Sequence, residues 1–170
     1  MKKFIPLVVF VVFLIFLYNG LGKDTKKIPS PFIDKKFPNI VMVDYKNGKT
    51  SLIRTNFKDG WTLVNFWASW CTTCRVEHHM LMKISKGNKV KMLGVNYKDT
   101  KEDSSKFLSS YGNPFDIIAF DKKGSIGLNL GIYAMPESFL VDNRGIIRHK
   151  YLGEMTEEIW EDEFLTIINM

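Results

Sequence analysis

Residues 67–79 read WASWCTTCRVEHH and contain both cysteines of the 170-residue chain, Cys71 and Cys74. Two residues separate the cysteines, aromatic residues precede them, and two histidines follow. Such a pair can be a redox-active dithiol, half of a metal site, a haem attachment point or an ordinary disulfide. The sequence around the pair decides between these four chemistries and also indicates the fold.

The segments that flank the cysteines predict a strand, a helix and a second strand. Residues 61–68 (WTLVNFWA) form a nearly continuous apolar run, which is typical of a strand buried on both faces. Helix-compatible sequence then runs from the cysteines to about Ser85, and residues 90–97 (VKMLGVNY) predict another buried strand. This order, with CxxC between the first strand and its helix, resembles the opening of the thioredoxin fold.

The remaining elements predict the class of the domain. Asn47-Gly48 lies between two apolar runs and favours a hairpin that precedes the cysteines. Residues 115–121 predict a further strand, and residues 137–153 predict an antiparallel hairpin. Thr156 is the expected N-cap of a terminal helix. Together these elements predict an α/β, thioredoxin-like mixed sheet with helices on both faces and extra N-terminal strands.

The N-terminus predicts a membrane anchor. MKK is followed by an uncharged, mostly apolar run over residues 4–22, which as a helix would span about 28 Å, close to the thickness of a bilayer core. A cleaved signal sequence is the alternative, although Gly20-Leu21-Gly22 is only a weak cleavage site. Lys2 and Lys3 favour a cytoplasmic N-terminus, so both interpretations export the rest of the chain to an oxidising compartment.

The charge distribution divides the exported part into a linker and a domain. The formal net charge is +6, and residues 1–36 carry +5 of it, which leaves only +1 for the remainder. Residues 23–38 contain five lysines and three prolines and predict a linker. Residues 39–170 are the predicted domain. A basic excess confined to the N-terminus, without a basic stripe interleaved with aromatic residues, argues against a nucleic-acid partner.

The residues near the cysteines exclude some of the four chemistries. Covalent haem attachment needs a histidine directly after the second cysteine, where this chain has Arg75. A structural zinc site needs four ligands, and the adjacent His78 and His79 would point about 100° apart on a helix. Copper binding stays open, because an exported dithiol with one histidine can bind copper. A purely structural disulfide would close a very short loop and add little stability.

The redox interpretation fits the local sequence best. Cys71 follows a buried strand and falls at the predicted start of a helix, where free backbone N–H groups and the helix dipole stabilise a thiolate. The CxxC arrangement lowers the pKa of the first thiol further. Cys74 lies one helical turn later, within reach to resolve a mixed disulfide. We therefore expect Cys71 to be the nucleophile and Cys74 the resolving thiol.

Three segments, VNFWASWCTTCRVEHH, GVNYKD and GIYAMPESFLVDNRGIIRHKYLGEMTEEIWEDE, resemble the DsbE/CcmG family over roughly residues 30–165. This resemblance implies a membrane-anchored thiol:disulfide interchange protein of bacterial cytochrome c biogenesis, facing the periplasm from the inner membrane. It implies a reductase that keeps the haem-binding cysteines of apocytochrome c, or a partner thiol protein, reduced. A membrane electron donor of the DsbD/CcdA type would reduce it again. The family commonly has Pro-Thr between its cysteines, whereas this chain has Thr72-Thr73.

The resemblance also assigns residues to the site. Met135-Pro136 matches the cis-proline loop, which faces the cysteines and offers backbone to a substrate. Glu77 and Glu137 match two acidic positions near the active site. Glu77 shares a helix face with Cys74, and a partly buried carboxylate there could move the proton of thiol exchange.

Three further expectations concern docking, cofactors and rival functions. Trp70 and Tyr133 are expected on the docking surface. No metal and no cofactor beyond the Cys71–Cys74 disulfide is expected. The alternatives are a broader-specificity thioredoxin-like reductase or peroxidase, and a copper-delivering module for respiratory assembly.

Overall fold

The strand before the cysteines lies at the centre of the sheet. The computed structural model describes residues 4–21 and 31–170, and the chain order of its first elements is α1 (Ile5–Leu21), β1 (Val41–Val43), β2 (Thr50–Leu52), β3 (Thr62–Trp67), α2 (Thr72–Lys86), β4 (Lys91–Tyr97) and α3 (Lys101–Tyr111). All six residues of β3 are buried. The apolar run therefore forms a strand covered on both faces, as the sequence predicts.

The second half of the domain completes the sheet. Its elements are β5 (Ile117–Asp121), α4 (Ser125–Leu130), β6 (Glu137–Val141) and β7 (Ile147–Leu152). The sheet has the order β5-β4-β3-β6-β7; β3, β4 and β5 are parallel, whereas β6 and β7 are antiparallel to their neighbours. The predicted mixed, thioredoxin-like sheet is confirmed.

Two apolar clusters cover the two faces of the sheet. Leu63 and Trp67 of β3 belong to the cluster that contains buried residues of α2 and α3. Val64 and Phe66 alternate with them and belong to the cluster on the other face, which includes residues of α4. Because successive strand residues point to opposite faces, one strand supplies both cores.

The extra N-terminal strands form a separate two-stranded antiparallel sheet. Val41 pairs with Leu52 and Val43 with Thr50, as the hairpin prediction requires. The connection runs from Asp44 to Lys49, and Gly48 adopts a left-handed φ of 70° there. Asp44 also forms a bridge to Ala119 of β5, so the hairpin lies beside the edge of the main sheet.

The chain ends in a helix that begins where the sequence predicts. The Oγ1 of Thr156 accepts the N–H of Ile159 at 3.2 Å and caps the first segment, Glu157–Ile159. The helix continues as a π-helical stretch, Trp160–Leu165, and ends as Thr166–Ile168; we call the whole helix α5. Trp160 and Phe164 are buried against the α2 side of the sheet.

The segment before β1 packs more closely than the sequence suggests. Residues 23–30 of the predicted linker lie outside the described residues. Phe37 is buried, its N–H donates to the carbonyl of Gly145 at 2.7 Å, and Lys36 forms a bridge to Ile146. Apolar side chains stand among the lysines of this segment and complete one of the two cores. The packed domain therefore begins before the predicted boundary at Asn39.

The helix α1 covers most of the predicted anchor. It has 17 residues, none of them charged, and the side chains of residues 4–18 are exposed. Residues 1–3 and 22, which complete the anchor prediction, lie outside the described part of the chain. Across residues 4–21 and 31–170, no helix meets the combined requirements of length and apolarity for crossing a membrane.

The candidate redox site

The two cysteines form a disulfide at the N-terminus of α2. The S–S distance is 2.12 Å and the Cα atoms are 5.3 Å apart. Cys71 is the N-cap residue, and its Sγ accepts the backbone N–H of Cys74 at 3.1 Å. The sulfur that we expect to attack a substrate therefore receives a hydrogen bond and lies at the positive end of the helix dipole. Both interactions stabilise a thiolate there.

Cys71 is the more accessible of the two sulfur-bearing residues. Its exposed fraction is 7%, against 2% for Cys74, which packs into the apolar cluster beneath α2. Trp70, directly before the pair, is 59% exposed. Both cysteines belong to this buried cluster, and the larger exposed fraction of Cys71 makes it the one that a partner reaches first.

The loop that carries the nucleophile is held by the end of β4. The carboxylate of Asp99 accepts the N–H of Ser69 at 2.7 Å and its Oγ–H at 2.8 Å. Asn96 Nδ2 and the N–H of Thr100 donate to the same carboxylate. The indole Nε1–H of Trp70 donates to the carbonyl of Lys98 at 3.0 Å. These contacts fix the residues that precede Cys71. The sequence offered a signal, since Asp99 ends the GVNYKD segment, but its contact with Ser69 depends on the pairing of β3 with β4.

Glu77 is a fully buried carboxyl group one helical turn from Cys74. Its Oε1 accepts Asn65 Nδ2–H at 2.9 Å, and its Oε2 accepts the N–H of Met155 at 3.0 Å. Burial raises the pKa of Glu77 to about 7, although both hydrogen bonds oppose the rise and nearby Glu154 adds to it. Glu77 can therefore gain or lose a proton at neutral pH.

Asn65 is a polar partner that the sequence analysis missed. It lies in the middle of β3, and its Nδ2 donates both to Glu77 and to Ser138 Oγ, at 2.9 and 3.1 Å. Its Oδ1 is buried and has no hydrogen-bond partner among the described residues. The sequence does contain a signal for this role, a single amide within an otherwise apolar run. A buried polar side chain needs a hydrogen-bond partner, so such an amide indicates a second polar group nearby.

Glu137 lies on the opposite face of the sheet from Glu77. It pairs in register with Phe66, whereas the neighbouring Ser138 pairs with Asn65. Its buried carboxylate forms an ion pair with Lys150 and accepts the N–H of Tyr133 at 3.1 Å. The contacts of its carboxylate are therefore with β7 and the loop before β6, and its expected place near the cysteine pair, on the side opposite Glu77, stays a prediction.

The predicted docking loop has the expected backbone. The Met135-Pro136 peptide bond is cis, and Pro136 is buried at the start of β6. Met135 is partly buried and packs against both core clusters, while Tyr133 is 78% exposed. The loop thus presents one exposed aromatic side chain, and the carboxylate of Glu137 holds its backbone.

The histidines near the cysteines point to separate carbonyl groups. His78 is buried, donates from Nε2 to the carbonyl of Gly112 at 3.0 Å and has a pKa lowered by burial. His79 donates from Nδ1 to the carbonyl of Val76 at 2.7 Å. Within residues 4–21 and 31–170, no group of three or more His, Cys, Asp or Glu side chains could hold a metal ion.

A thioredoxin-like fold that combines a CxxC disulfide at a helix N-terminus with a cis-proline directly before β6 defines a class of protein, the thiol–disulfide oxidoreductases. Residues 33–168 match the Redoxin family. The chain is 38% identical to the thiol:disulfide interchange protein DsbE of Allochromatium vinosum, over 98% of this chain and 92% of that protein. It is 40% identical to DsbE of Pseudomonas fluorescens, over 94% and 88% of the two chains.

Solved structures agree with these relatives. A crystal structure described as a DsbE protein from Chlorobium tepidum is 27% identical, with a TM-score of 0.64 over 78% of this chain and 95% of that chain. A secreted thiol-disulfide isomerase from Corynebacterium glutamicum, 19% identical with a TM-score of 0.70 over 87% and 96% of the two chains, has the same fold. The chain belongs to the DsbE family of thiol:disulfide interchange proteins and is a thiol–disulfide oxidoreductase.

Proposed function

We propose that this protein is a periplasmic reductase of cytochrome c maturation. Its substrate is the oxidised cysteine pair of the haem-binding segment of apocytochrome c, or of a partner thiol protein. A membrane electron donor of the DsbD/CcdA type returns the Cys71–Cys74 disulfide to the dithiol. The observation that carries the proposal is the match to DsbE over 98% of the chain, which includes the N-terminal segment as well as the redox domain.

The proposed reaction is a two-step thiol exchange. The Cys71 thiolate attacks one sulfur of the substrate disulfide, so that a mixed disulfide forms and the other substrate sulfur leaves as a thiolate. Cys74 then loses its proton and attacks the sulfur of Cys71. This second step releases the first substrate sulfur and forms the Cys71–Cys74 disulfide, so two electrons pass from the protein to the substrate.

Glu77 is the proposed acceptor of the Cys74 proton. The two residues are three positions apart on α2, so they lie on the same face of the helix, and both are buried. With a pKa of about 7, a large fraction of Glu77 is ionised at neutral pH and can accept a proton. The same pKa makes this carboxylate a stronger base than an ordinary glutamate. On the reverse path, when the membrane donor reduces the disulfide, protonated Glu77 returns the proton to Cys74.

The exposed residues around Cys71 form the proposed docking surface. Trp70 stands on one side of the cysteine, and the loop with Tyr133, Met135 and Pro136 matches the loop that faces the cysteines in the family. An extended substrate segment can pair with the backbone of this loop while its sulfur meets Cys71. The contacts of Glu137 assign it the support of this loop, which is a positioning role.

We also propose that residues 1–22 anchor the protein in the inner membrane with the domain in the periplasm. The uncharged composition of α1 and the lysines that precede it support this arrangement. Extraction of membranes with alkaline carbonate tests it: the full chain should stay in the membrane pellet, and a variant without residues 2–22 should not. Recovery of the full chain in the soluble fraction would contradict the anchor.

Complementation tests the proposed function. In cells that lack the endogenous protein, the wild type should restore covalent haem attachment to cytochrome c, and Cys71→Ala should not. Cys74→Ala should accumulate a mixed disulfide with the substrate, which mass spectrometry can identify. Assembly of a copper-dependent oxidase in the same cells is the control, since a copper-delivering protein would show the opposite pattern. Normal cytochrome c maturation with Cys71→Ala would overturn the proposal.

A further inference from the structure

A groove opens at the loop that directly precedes the nucleophilic cysteine, between the N-terminal end of α2 and α3. Its cavity volume is about 490 Å³, which is within the range of sites that bind small ligands or short peptide segments. Trp70, the residue directly before Cys71, forms part of its wall, together with Arg75, Lys106 and Tyr111. A segment that occupies this groove therefore contacts the residue that directly precedes the reacting cysteine. We refer to it as the α2–α3 groove.

The groove contains cations that the rest of the domain does not neutralise. Arg75, Lys98 and Lys106 line it, and in the described part of the chain none of the three forms an ion pair with a carboxylate. The carboxylate of Asp99, which also lines the groove, is already engaged by four hydrogen bonds. Asp103 accepts the hydroxyl of Thr100 at 2.6 Å. These donors are neutral and leave both carboxylates charged, so three cations against two carboxylates give the lining a formal net charge of +1.

Aromatic side chains flank these cations and remain partly open to solvent. The guanidinium of Arg75 lies 5.7 Å from the centre of the Tyr111 ring, and Tyr111 is 48% exposed. The indole of Trp70 is held by its hydrogen bond to the carbonyl of Lys98, another residue that lines the groove. A ligand here meets fixed aromatic faces as well as positive charge, and fixed aromatic contacts cost little conformational entropy on binding.

We propose that the α2–α3 groove binds an acidic segment of the substrate protein, adjacent in its sequence to the cysteine that Cys71 attacks. Aspartate or glutamate side chains pair with Arg75 and Lys106, and neighbouring apolar groups pack on Trp70 and Tyr111. The groove thus selects among substrates by charge, mainly by accelerating their encounter with Cys71. This inference rests on the proposed role of Cys71 as the attacking thiol but not on the identity of the substrate as apocytochrome c.

The test measures how fast the reduced full chain, in nonionic detergent, reacts with two synthetic peptides. Each peptide carries one central cysteine as a mixed disulfide with thionitrobenzoate, and the flanking residues are acidic in one and basic in the other. Cys71 attacks the peptide sulfur and releases coloured thionitrobenzoate, and Cys74 then releases the peptide thiol. The ratio of the two rates is the readout, because it cancels the intrinsic reactivity of Cys71.

We expect the acidic peptide to react roughly tenfold faster at low ionic strength, with the ratio falling towards one as salt screens the charges. The double variant Arg75→Glu, Lys106→Glu should lose or reverse the ratio. The matched control is Lys86→Glu, Lys89→Glu, which makes the same change in net charge at the far end of α2. This control should retain the wild-type ratio.

Two results would overturn the inference. One is equal rates for the acidic and basic peptides in the wild type. The other is an identical loss of selectivity in both double variants, which would attribute the effect to net charge rather than to the groove. Should Arg75→Glu, Lys106→Glu fold poorly, the neutral pair Arg75→Gln, Lys106→Gln gives the same comparison. Failure of Cys71 to react with either peptide would instead contradict the proposed nucleophile.

Discussion

Glu77 makes the redox site sensitive to pH, because its carboxyl group is fully buried. Its ionised form needs the donors from Asn65 and Met155, and burial still raises its pKa from 4.5 to about 7. Between these two pH values the folded protein holds a proton that the unfolded chain has released. The free energy of unfolding therefore falls as pH rises through this window.

The first prediction concerns this pH dependence. From pH 5 to pH 8 the ionisation of Glu77 should lower the free energy of unfolding by on the order of 3 kcal/mol, since one pKa unit corresponds to about 1.4 kcal/mol. In Glu77→Gln this loss should be absent. Urea denaturation of the oxidised protein at both pH values measures it, with Glu161→Gln, at an exposed position of α5, as the control that keeps the titrating group. An unchanged pH dependence in Glu77→Gln would contradict the burial-driven pKa.

The second prediction concerns Asn65. Asn65→Leu has a similar shape but removes the donor to the ionised carboxylate, so the pKa of Glu77 should rise further. Carbon-13 NMR of the Glu77 carboxyl group measures the midpoint directly. Ser138→Ala is the matched control, because it removes the other partner of Nδ2 and leaves the bond to Glu77 in place. A pKa of Glu77 that does not move in Asn65→Leu would show that this bond has no energetic weight.

The secondary structure followed from local patterns, because each pattern has a local physical cause. The apolar run of β3, the cap at Thr156 and the turn at Gly48 each reflect burial, hydrogen bonding or backbone geometry within a few residues. The position of Cys71 at a helix N-terminus was predictable for the same reason. The thioredoxin-like class then followed from the order of the elements.

Features that depend on pairing between distant elements were not predictable in this way. The side of the sheet on which Glu137 lies depends on the register of β6 against β3, and a shift of one residue would reverse it. The contact of Asp99 with Ser69 requires β3 and β4 to end side by side. Phe37 joins the core only because its segment pairs with the turn before β7.

The third prediction concerns the two strands that support the docking loop. Lys150→Met should destabilise the protein by roughly 3 to 5 kcal/mol, because it leaves the buried carboxylate of Glu137 without its cation. The double variant Glu137→Gln, Lys150→Met should recover part of this loss, since the glutamine oxygen still accepts the N–H of Tyr133. Chemical denaturation of the wild type, Lys150→Met, Glu137→Gln and the double variant gives the coupling energy.

The exposed ion pair between Lys83 and Glu157 provides the comparison for this measurement. Its side chains are 61% and 59% exposed, so Lys83→Met should change stability by no more than about 1 kcal/mol. If Lys150→Met lowers the free energy of unfolding by as little as Lys83→Met does, the buried carboxylate of Glu137 does not need Lys150 for its stabilisation.

In the whole molecule, the parts of the site meet at one end of the sheet, where β3 and β4 reach their carboxyl ends. Ligand sites of open α/β sheets form at this edge, beyond the carboxyl ends of the strands. Cys71 follows β3, and Asp99 follows β4 and holds the loop before Cys71. Glu77 reaches the same region from α2. The fold therefore provides a slightly exposed cysteine, a more deeply buried cysteine and a titratable carboxyl group.

The reduction potential of the Cys71–Cys74 couple tests the central claim, that this site acts as a reductant, most directly. The full chain in nonionic detergent would be equilibrated with glutathione buffers, and the fraction of dithiol measured by alkylation and mass spectrometry. The proposed function predicts a reversible two-electron couple at or below roughly −200 mV, which a membrane donor can keep reduced. A value near about −120 mV would make the protein an oxidant and contradict the account, with Thr72-Thr73 as the first residues to replace.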